Sequence, residues 1–412
     1  MKEYVIALPP SGTVLREVLK TAFYLLNINM FSENPVILGD RVVLKPKRKG
    51  GLINALSELF YGLAESISKE ESGLIEKMEK KGKSASPLMI FPMSGNDRKY
   101  IDKFLKKLKA KSFSEAFRNY AEFIDGIDEE EFVEALSEYK TEFPIYGYTL
   151  DAEKTVKLMV PQALKPEHYE FSRRYGQGLS SPSKHYLGLH SMSLALAGFM
   201  RSRAGRIIEK GTGQGTFVLL TPVDISYDLG NVYSEILRSY ESAVAGKVSG
   251  LVPEEALILW LGAKARFSSD IPRIHSNLNI IAAREPGGQS PSSLVLLKTY
   301  SLWLPSMLAN KLIERGDNVL KTYENVLQNA FRYVYGMDVK GGEMYVKYVK
   351  LLYEVLVGSK SAEEFLYTIN RDLATIASSG GKTESWMRIL SWLSRHLYWT
   401  IREVTRITDL SP

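Results

Sequence analysis

Apolar and polar residues along this chain follow two periods, one of strands and one of helices. Tyr4-Val5-Ile6-Ala7-Leu8 is a short apolar run of strand length, and residues 13–27 then place Val14, Val18, Ala22 and Leu25 on one helical face. Val36-Ile37-Leu38 and Val42-Val43-Leu44 flank Gly39-Asp40-Arg41, which predicts a hairpin closed by a three-residue turn. Residues 52–67 read as an amphipathic helix, and the charge-dense stretch 69–83 as its solvated end or a loop. Seven bases from Arg98 to Lys111 are followed by nine acids from Glu115 to Glu138, a separation that predicts a helical hairpin whose faces pair with each other, preferred over an RNA-binding basic face because nearby opposite charge cancels the field a polyanion would feel.

Strand patterns become denser after about residue 151. Residues 143–148 and 155–160 bracket Asp151-Ala152-Glu153-Lys154 as a meander, 190–203 form an apolar helix, and 206–209 pair with 217–220. Residues 231–244 and 253–266 read as helical and 271–282 as strand-like. From 291 to the end the pattern is helical, with helices expected near 294–314, 318–335, 345–357, 362–376 and 383–405, separated by glycines. The last of these carries a continuous apolar stripe of Trp386, Leu390, Leu393, Leu397, Ile401 and Val404. On another face Arg388, Arg395 and Arg402 recur every seven residues, about 10 Å apart at the helical rise, with Arg406 one turn on. The expected class is α+β: a mixed α/β N-terminal domain (1–150), a strand-rich basic central domain (151–290) and a C-terminal α-helical bundle (291–412).

Composition narrows the possibilities. At 412 residues the chain exceeds what one core usually serves, and 45% hydrophobic with 24% charged residues argues against wholesale disorder. With no cysteine there is no disulfide framework, thiolate zinc site or cysteine nucleophile. Five glutamines beside abundant Lys and Glu fit a heat-adapted protein. The N-terminal apolar run is too short for a signal peptide, and no run approaches the ~18 residues of a membrane span, so a soluble, cytoplasmic protein with no membrane partner is expected.

Catalytic and cofactor motifs fail on inspection. Gly211-Thr212-Gly213-Gln214-Gly215-Thr216 has Thr216 where a dinucleotide fingerprint needs glycine, and it lies between two strands, as a hairpin turn would. Gly82-Lys83-Ser84 and Gly381-Lys382-Thr383 imitate the end of a phosphate-binding loop but have Lys77 and Ile376 where its first glycine belongs. Ser181-Pro182-Ser183-Lys184 lacks the companion motifs of penicillin-recognising enzymes. The five histidines show no metal-binding spacing. No catalytic residue, metal or cofactor is expected.

Positive charge, by contrast, is concentrated. Between Lys165 and Lys210 eight bases stand against three acids, in a chain whose net charge is +6. Within that stretch Arg173, Arg174, Gln177 and Lys184 are interspersed with glycines and tyrosines, as in a loop that grips phosphates and stacks bases, and Arg201 and Arg203 follow. Lys45, Lys47, Arg48 and Lys49 form a basic loop, where phosphate contact and a solvated turn are equally supported. Gln289 sits in a loop able to read a base or merely to connect domains. Lys382 could hold a phosphate at the start of the last helix, although capping by Thr383 is the preferred reading there, as ion pairing or solvation is for the Arg388, Arg395, Arg402 row.

The short strand at Tyr4–Leu8 with its following helix, the basic glycine-rich centre and the closing helical bundle resemble the large subunit of the archaeal type I-A CRISPR Cascade effector. The likeness is architectural and spans the whole chain without a diagnostic motif. It implies a non-catalytic subunit that contacts guide RNA and target double-stranded DNA, reads the motif beside the target and recruits the helicase-nuclease. Its other partners would be the Cascade backbone and small subunits. Two alternatives remain open: a metal-dependent nucleic-acid or nucleotide processing enzyme, with Asp224 and Asp228 as the carboxylates to test, and a scaffold for an acidic protein partner.

Overall fold

The computed structural model describes residues 2–9, 13–80, 82, 84, 86–91, 97–137, 139–140, 145–148, 158–164, 184–208, 215–222, 277–284, 295–301, 303–334, 338–378 and 384–408. The chain divides into two compact units, one of residues 1–204, 214–230 and 279–298, the other of 205–213, 231–278 and 299–412. The class is α+β, with small sheets and a helical C-terminal region, as the sequence predicts. Among the described residues no helix is long and apolar enough to cross a membrane.

In the first unit, β1 (Tyr4–Ala7), β2 (Phe31–Leu38) and β3 (Arg41–Pro46) form an antiparallel sheet of order β1-β3-β2. Leu38 pairs with Arg41, so the hairpin turn is Gly39-Asp40 alone, one residue shorter than expected, with Gly39 at φ 59°. Between the strands in sequence runs α1 (Val14–Tyr24), buried along its whole length. Its charged residues are therefore satisfied internally. Lys20 Nζ meets Glu17 Oε2 at 3.0 Å, and Arg16 donates to the carbonyls of Pro9 and Gly39.

The helix α2 (Gly51–Glu79) continues through residues 69–79, because that stretch is rich in helix-forming Glu and Lys and buries Glu71. It is followed by α3 (Asp97–Lys107), α4 (Phe113–Ile124) and α5 (Glu129–Ala135). The expected charge-paired hairpin does not form: α4 lies along α2, and among the described residues no ion pair joins the bases of 98–111 to the acids of 115–137. The apolar face of α4 decides this. Phe113, Ala116, Phe117, Tyr120 and Ile124 are fully buried, and each large side chain contributes about 1.5–3 kcal/mol, more than surface ion pairs worth about 0–1 kcal/mol. Phe60 of α2 meets Tyr120 edge-on at 4.6 Å between ring centroids.

Two buried carboxylates sit on helix N-termini. Glu129 accepts hydrogen bonds from the backbone N–H groups of Gly50 (3.0 Å) and Leu52 (2.7 Å) at the start of α2, and from the Tyr4 hydroxyl (2.9 Å). Glu71 accepts from the N–H groups of Phe113 (2.9 Å) and Ser114 (3.3 Å) at the start of α4. At the other end of α3, Ala110 N–H returns to Leu105 O and Lys109 N–H to Lys106 O, with Lys109 at φ 51°. This is a Schellman closure with lysine where glycine is the rule, a conformation that costs about 1–2 kcal/mol without glycine's freedom.

The strands β4 (Tyr139–Lys140), β5 (Ile145–Tyr148), β6 (Leu158–Met159) and β7 (Lys184–Leu187) form a sheet of order β4-β5-β7-β6. The expected meander of 143–148 with 155–160 is thus corrected: β7 lies between them, parallel to β5 and antiparallel to β6. Local spacing cannot reveal a strand that enters from 25 residues later. The helix α6 (Leu189–Ser202) packs on α1 so closely that a Cβ on Gly198 would overlap the Val18 carbonyl oxygen. It shares one core with the N-terminal helices, so among the described residues this part of the expected central domain packs into the first unit instead of forming a separate core. His190 of α6 is buried against Tyr120, whose hydroxyl lies 2.9 Å from its Nδ1. A further sheet runs β11 (Val295–Ser301), β10 (Asn277–Arg284), β9 (Gly215–Pro222), β8 (Arg203–Ile208), with the expected neighbours β8 and β9. Val295–Ser301, within a stretch expected as helix, is a strand, since an apolar run this short fits either period. The helices expected at 231–244 and 253–266 lie outside the described residues.

The described helices of the second unit are α7 (Trp303–Glu314), α8 (Asp317–Val334), α9 (Gly342–Leu356), α10 (Ala362–Ser378), α11 (Glu384–Trp392) and α12 (Tyr398–Thr408), the last two joined without a break through a wide π-helical turn, Leu393–Leu397. Tyr323, Leu327, Phe365, Ile369, Leu390 and Ile401 are fully buried in its core. Arg315, in the turn after α7, bonds Glu403 of α12 at 2.7 Å, and Lys347 of α9 pairs with Asp372 of α10.

Gly198→Ala should destabilise the first unit by about 3 kcal/mol or more, read as a lowered denaturant midpoint, because backbone must move to admit a methyl group. Burial pushes His190 down to about 4 from an ordinary 6.5. The folded state therefore resists protonation of this ring. The stability it contributes is complete above pH 6.5 and falls as pH drops from 6.5 towards 4, by up to about 3 kcal/mol. His190→Gln should flatten the stability curve in that window; an equally steep curve would assign the acid loss to other groups.

Candidate nucleic-acid interface

The last helix, α11 through α12, is built by one pattern serving two faces. Trp386, Leu390, Leu393, Leu397, Ile401 and Val404 are all buried. Leu393 and Leu397 bound the wide turn, where the Tyr398 amide reaches back five residues to the Leu393 carbonyl, and both remain in the core, so the stripe stays in phase through it. The Thr400 hydroxyl satisfies the His396 carbonyl at 2.7 Å.

The opposite face alternates guanidinium and indole groups. Arg388, Trp392, Arg395, Trp399, Arg402 and Arg406 follow at helical spacing of four and three. Arg388, Arg395 and Arg406 are exposed, Trp392 is half-buried, and Trp399 is 50% exposed. Arg402 lies over the Trp399 ring at 5.7 Å from its centroid and 3.9 Å from Glu363, which holds the indole against a cation instead of leaving it to swing freely. Arg395 and Arg406 make no ion pair among the described residues. Such a face offers phosphate donors interleaved with stacking platforms, the pairing that single-stranded nucleic acid uses. The sequence reading found the arginines by their seven-residue repeat but missed Trp392 and Trp399, each four residues after an arginine. The helical phase alone identifies them.

The other predicted contact residues are in different states. Lys45 is half-buried, its ammonium 2.7 Å from Glu33 and 3.6 Å from Glu3, with the Glu33 hydrogen bond raising its pKa. Lys49 approaches Asp128 at 3.8 Å, whereas Lys47 and Arg48 are exposed without an ion pair among the described residues. The helix N-terminus beside this loop is already filled by Glu129, so Lys47 and Arg48 would act there as isolated cations. Arg201 is half-buried at the end of α6. Arg203 is turned inward, 18% exposed, donating to the Ile90 carbonyl and the Glu70 carboxylate. Lys184 opens β7 and so belongs to a strand instead of the expected loop. Arg173, Arg174, Gln177, Gln289 and Lys382, with Asp224 and Asp228, lie outside the described residues. Among the described residues no three His, Asp or Glu side chains cluster as a metal site requires.

The fold and this surface define an α+β protein that presents cationic, partly aromatic helical faces to solvent. The sequence model for the family described as CRISPR-associated protein, CsaX, matches residues 147–373, more than half of the chain, and the chain belongs to that family. The matched stretch contains Arg173, Arg174, Gln177, Lys184 and Gln289 and ends before the last helix. No curated protein matches the chain.

Arg395→Ala combined with Trp399→Ala should weaken binding of single-stranded oligonucleotides by roughly 10-fold to 100-fold, given about 1–3 kcal/mol per stacked base, and lower the salt slope by about 0.7. Fluorescence anisotropy across a salt series measures both, and unchanged affinity would exclude this face.

Proposed function

We propose that this chain is the non-catalytic large subunit of a type I CRISPR surveillance complex, of the type I-A kind found in archaea. In this role it contacts guide RNA and target duplex DNA, reads the motif beside the target and recruits the helicase-nuclease. Membership of a CRISPR-associated family supports a role in a CRISPR system. The observation that carries nucleic-acid binding is the alternation of Arg395, Trp399, Arg402 and Arg406 on the solvent face of the last helix. Arginine fixes phosphates and indole stacks on unpaired bases, so this face suits guide RNA or the strand displaced when guide and target pair.

The basic segment around Arg173 and Arg174 supplies a second contact in this reading, with Gln177 or Gln289 presenting an amide to a base edge. Guide pairing reads most of the sequence, so the protein needs only positional phosphate contacts and a few base contacts.

Purification of the tagged full-length chain from its native source should bring down a guide RNA and further CRISPR subunits. Arg173→Ala with Arg174→Ala should reduce RNA recovery. With Mg²⁺ or Mn²⁺ the pure chain should leave RNA and DNA intact; cleavage abolished by Asp224→Ala would instead establish an enzyme.

A further inference from the structure

The basic stretch left unpaired by the packing of α4 on α2 forms a surface of its own. Arg98, Lys99, Lys103, Lys106, Lys107, Lys109 and Lys111 are all exposed, and none makes an ion pair among the described residues. Lys99, Lys103 and Lys106 share one face of α3, at intervals of about 6 and 4.5 Å along the axis. The acids nearest in sequence are few: Asp97 is buried, Asp102 half-buried, and Glu115 accepts a hydrogen bond from the Lys111 amide at 2.7 Å. The support is rigid. Ile101, Phe104, Leu105 and Leu108 anchor α3 in the core, and Asn119 of α4 donates to the Leu108 carbonyl at 2.8 Å.

We propose that this face of α3 with its closing turn is a sequence-independent track for the phosphate backbone of a nucleic acid. The proposal rests on the nucleic-acid reading of the chain but concerns a different surface. Three observations favour a polyanion over a protein or a membrane. None of the exposed large apolar residues lies between 97 and 111, so the surface lacks the anchors of a protein interface, where lysine is also depleted. The apolar face of α3 is buried within the unit and cannot enter lipid. Six of the seven cations are lysines, point charges suited to phosphate position and not to bidentate reading of bases. Lys109 adds a fourth: at φ 51° it occupies the position that glycine would stabilise, adding charge to this surface at the expense of backbone ease.

The test uses the full-length chain with duplex and single-stranded oligonucleotides of unrelated sequence, followed by anisotropy at several salt concentrations. Lys99→Ala, Lys103→Ala and Lys106→Ala together should reduce the slope of log K against log salt by up to about 2.7 on duplex, or 2.1 on single strands, equally for every sequence. The corresponding triple arginine variant should keep the slope. Lys109→Gly should melt about 2–4 °C higher yet lose up to about 0.9 of the slope. Thermal melting confirms that each variant is folded. If neither the triple alanine variant nor Lys109→Gly changes the slope while Arg395→Ala with Trp399→Ala still weakens binding, this track is overturned and the proposed function stands. A wild-type chain that binds no nucleic acid at low salt overturns both. Loss of binding to polyglutamate or to phosphatidylserine vesicles, with nucleic-acid binding intact, assigns the surface to an acidic protein or a membrane and overturns the proposal.

Discussion

The architecture of the first unit depends on two carboxylates that complete the N-termini of other helices. Glu129 of α5 takes the free amides at the start of α2 and the Tyr4 hydroxyl of β1, while Glu71 of α2 takes those at the start of α4. Helix starts buried in a core leave donors that water cannot reach, and an anion there satisfies them and meets the positive end of the helix dipole. These contacts bridge 42 to 125 residues of sequence. They fix which faces of α2, α4 and α5 meet, and thereby which charged faces are left outside.

That division explains how a modest net charge of +6 is distributed in function. Arg16, Lys20, Lys45 and Arg203 are engaged within the protein, with carbonyls or carboxylates holding them in place. The bases of α3 and the arginines at 395 and 406 are not so engaged, because the apolar stripes of their helices face inward and their own acids are few or distant. A net charge counts both kinds alike. Only the second kind projects a field that a polyanion can feel, and in the last helix it comes with two indoles that give the field a stacking surface.

Helices with one long apolar stripe were legible from their residues. Trp386 to Val404 has the period of an α-helix, and its burial follows with no knowledge of the partner; the same holds for α8, whereas α1 is buried on every side, which its one predicted face does not show. The arginine row was legible for the same reason, while the tryptophans between its members went unread, since an aromatic residue at helical spacing is more often core. What failed was everything set by distant segments. The insertion of β7 between β5 and β6, the strand at Val295–Ser301 and the pairing of α4 with α2 each depend on which surface is available to cover an apolar face.

The sequence by itself determined the α+β class, the basic character of the chain and the two-faced last helix, because these follow from local periodicity and composition. The tertiary structure decided which charges are silent. Opposite charges adjacent in sequence between 98 and 138 suggested mutual cancellation, yet burial of Phe113, Phe117 and Tyr120 outweighs surface ion pairing and turns α4 toward α2. The lysines of α3 are left facing water for that reason.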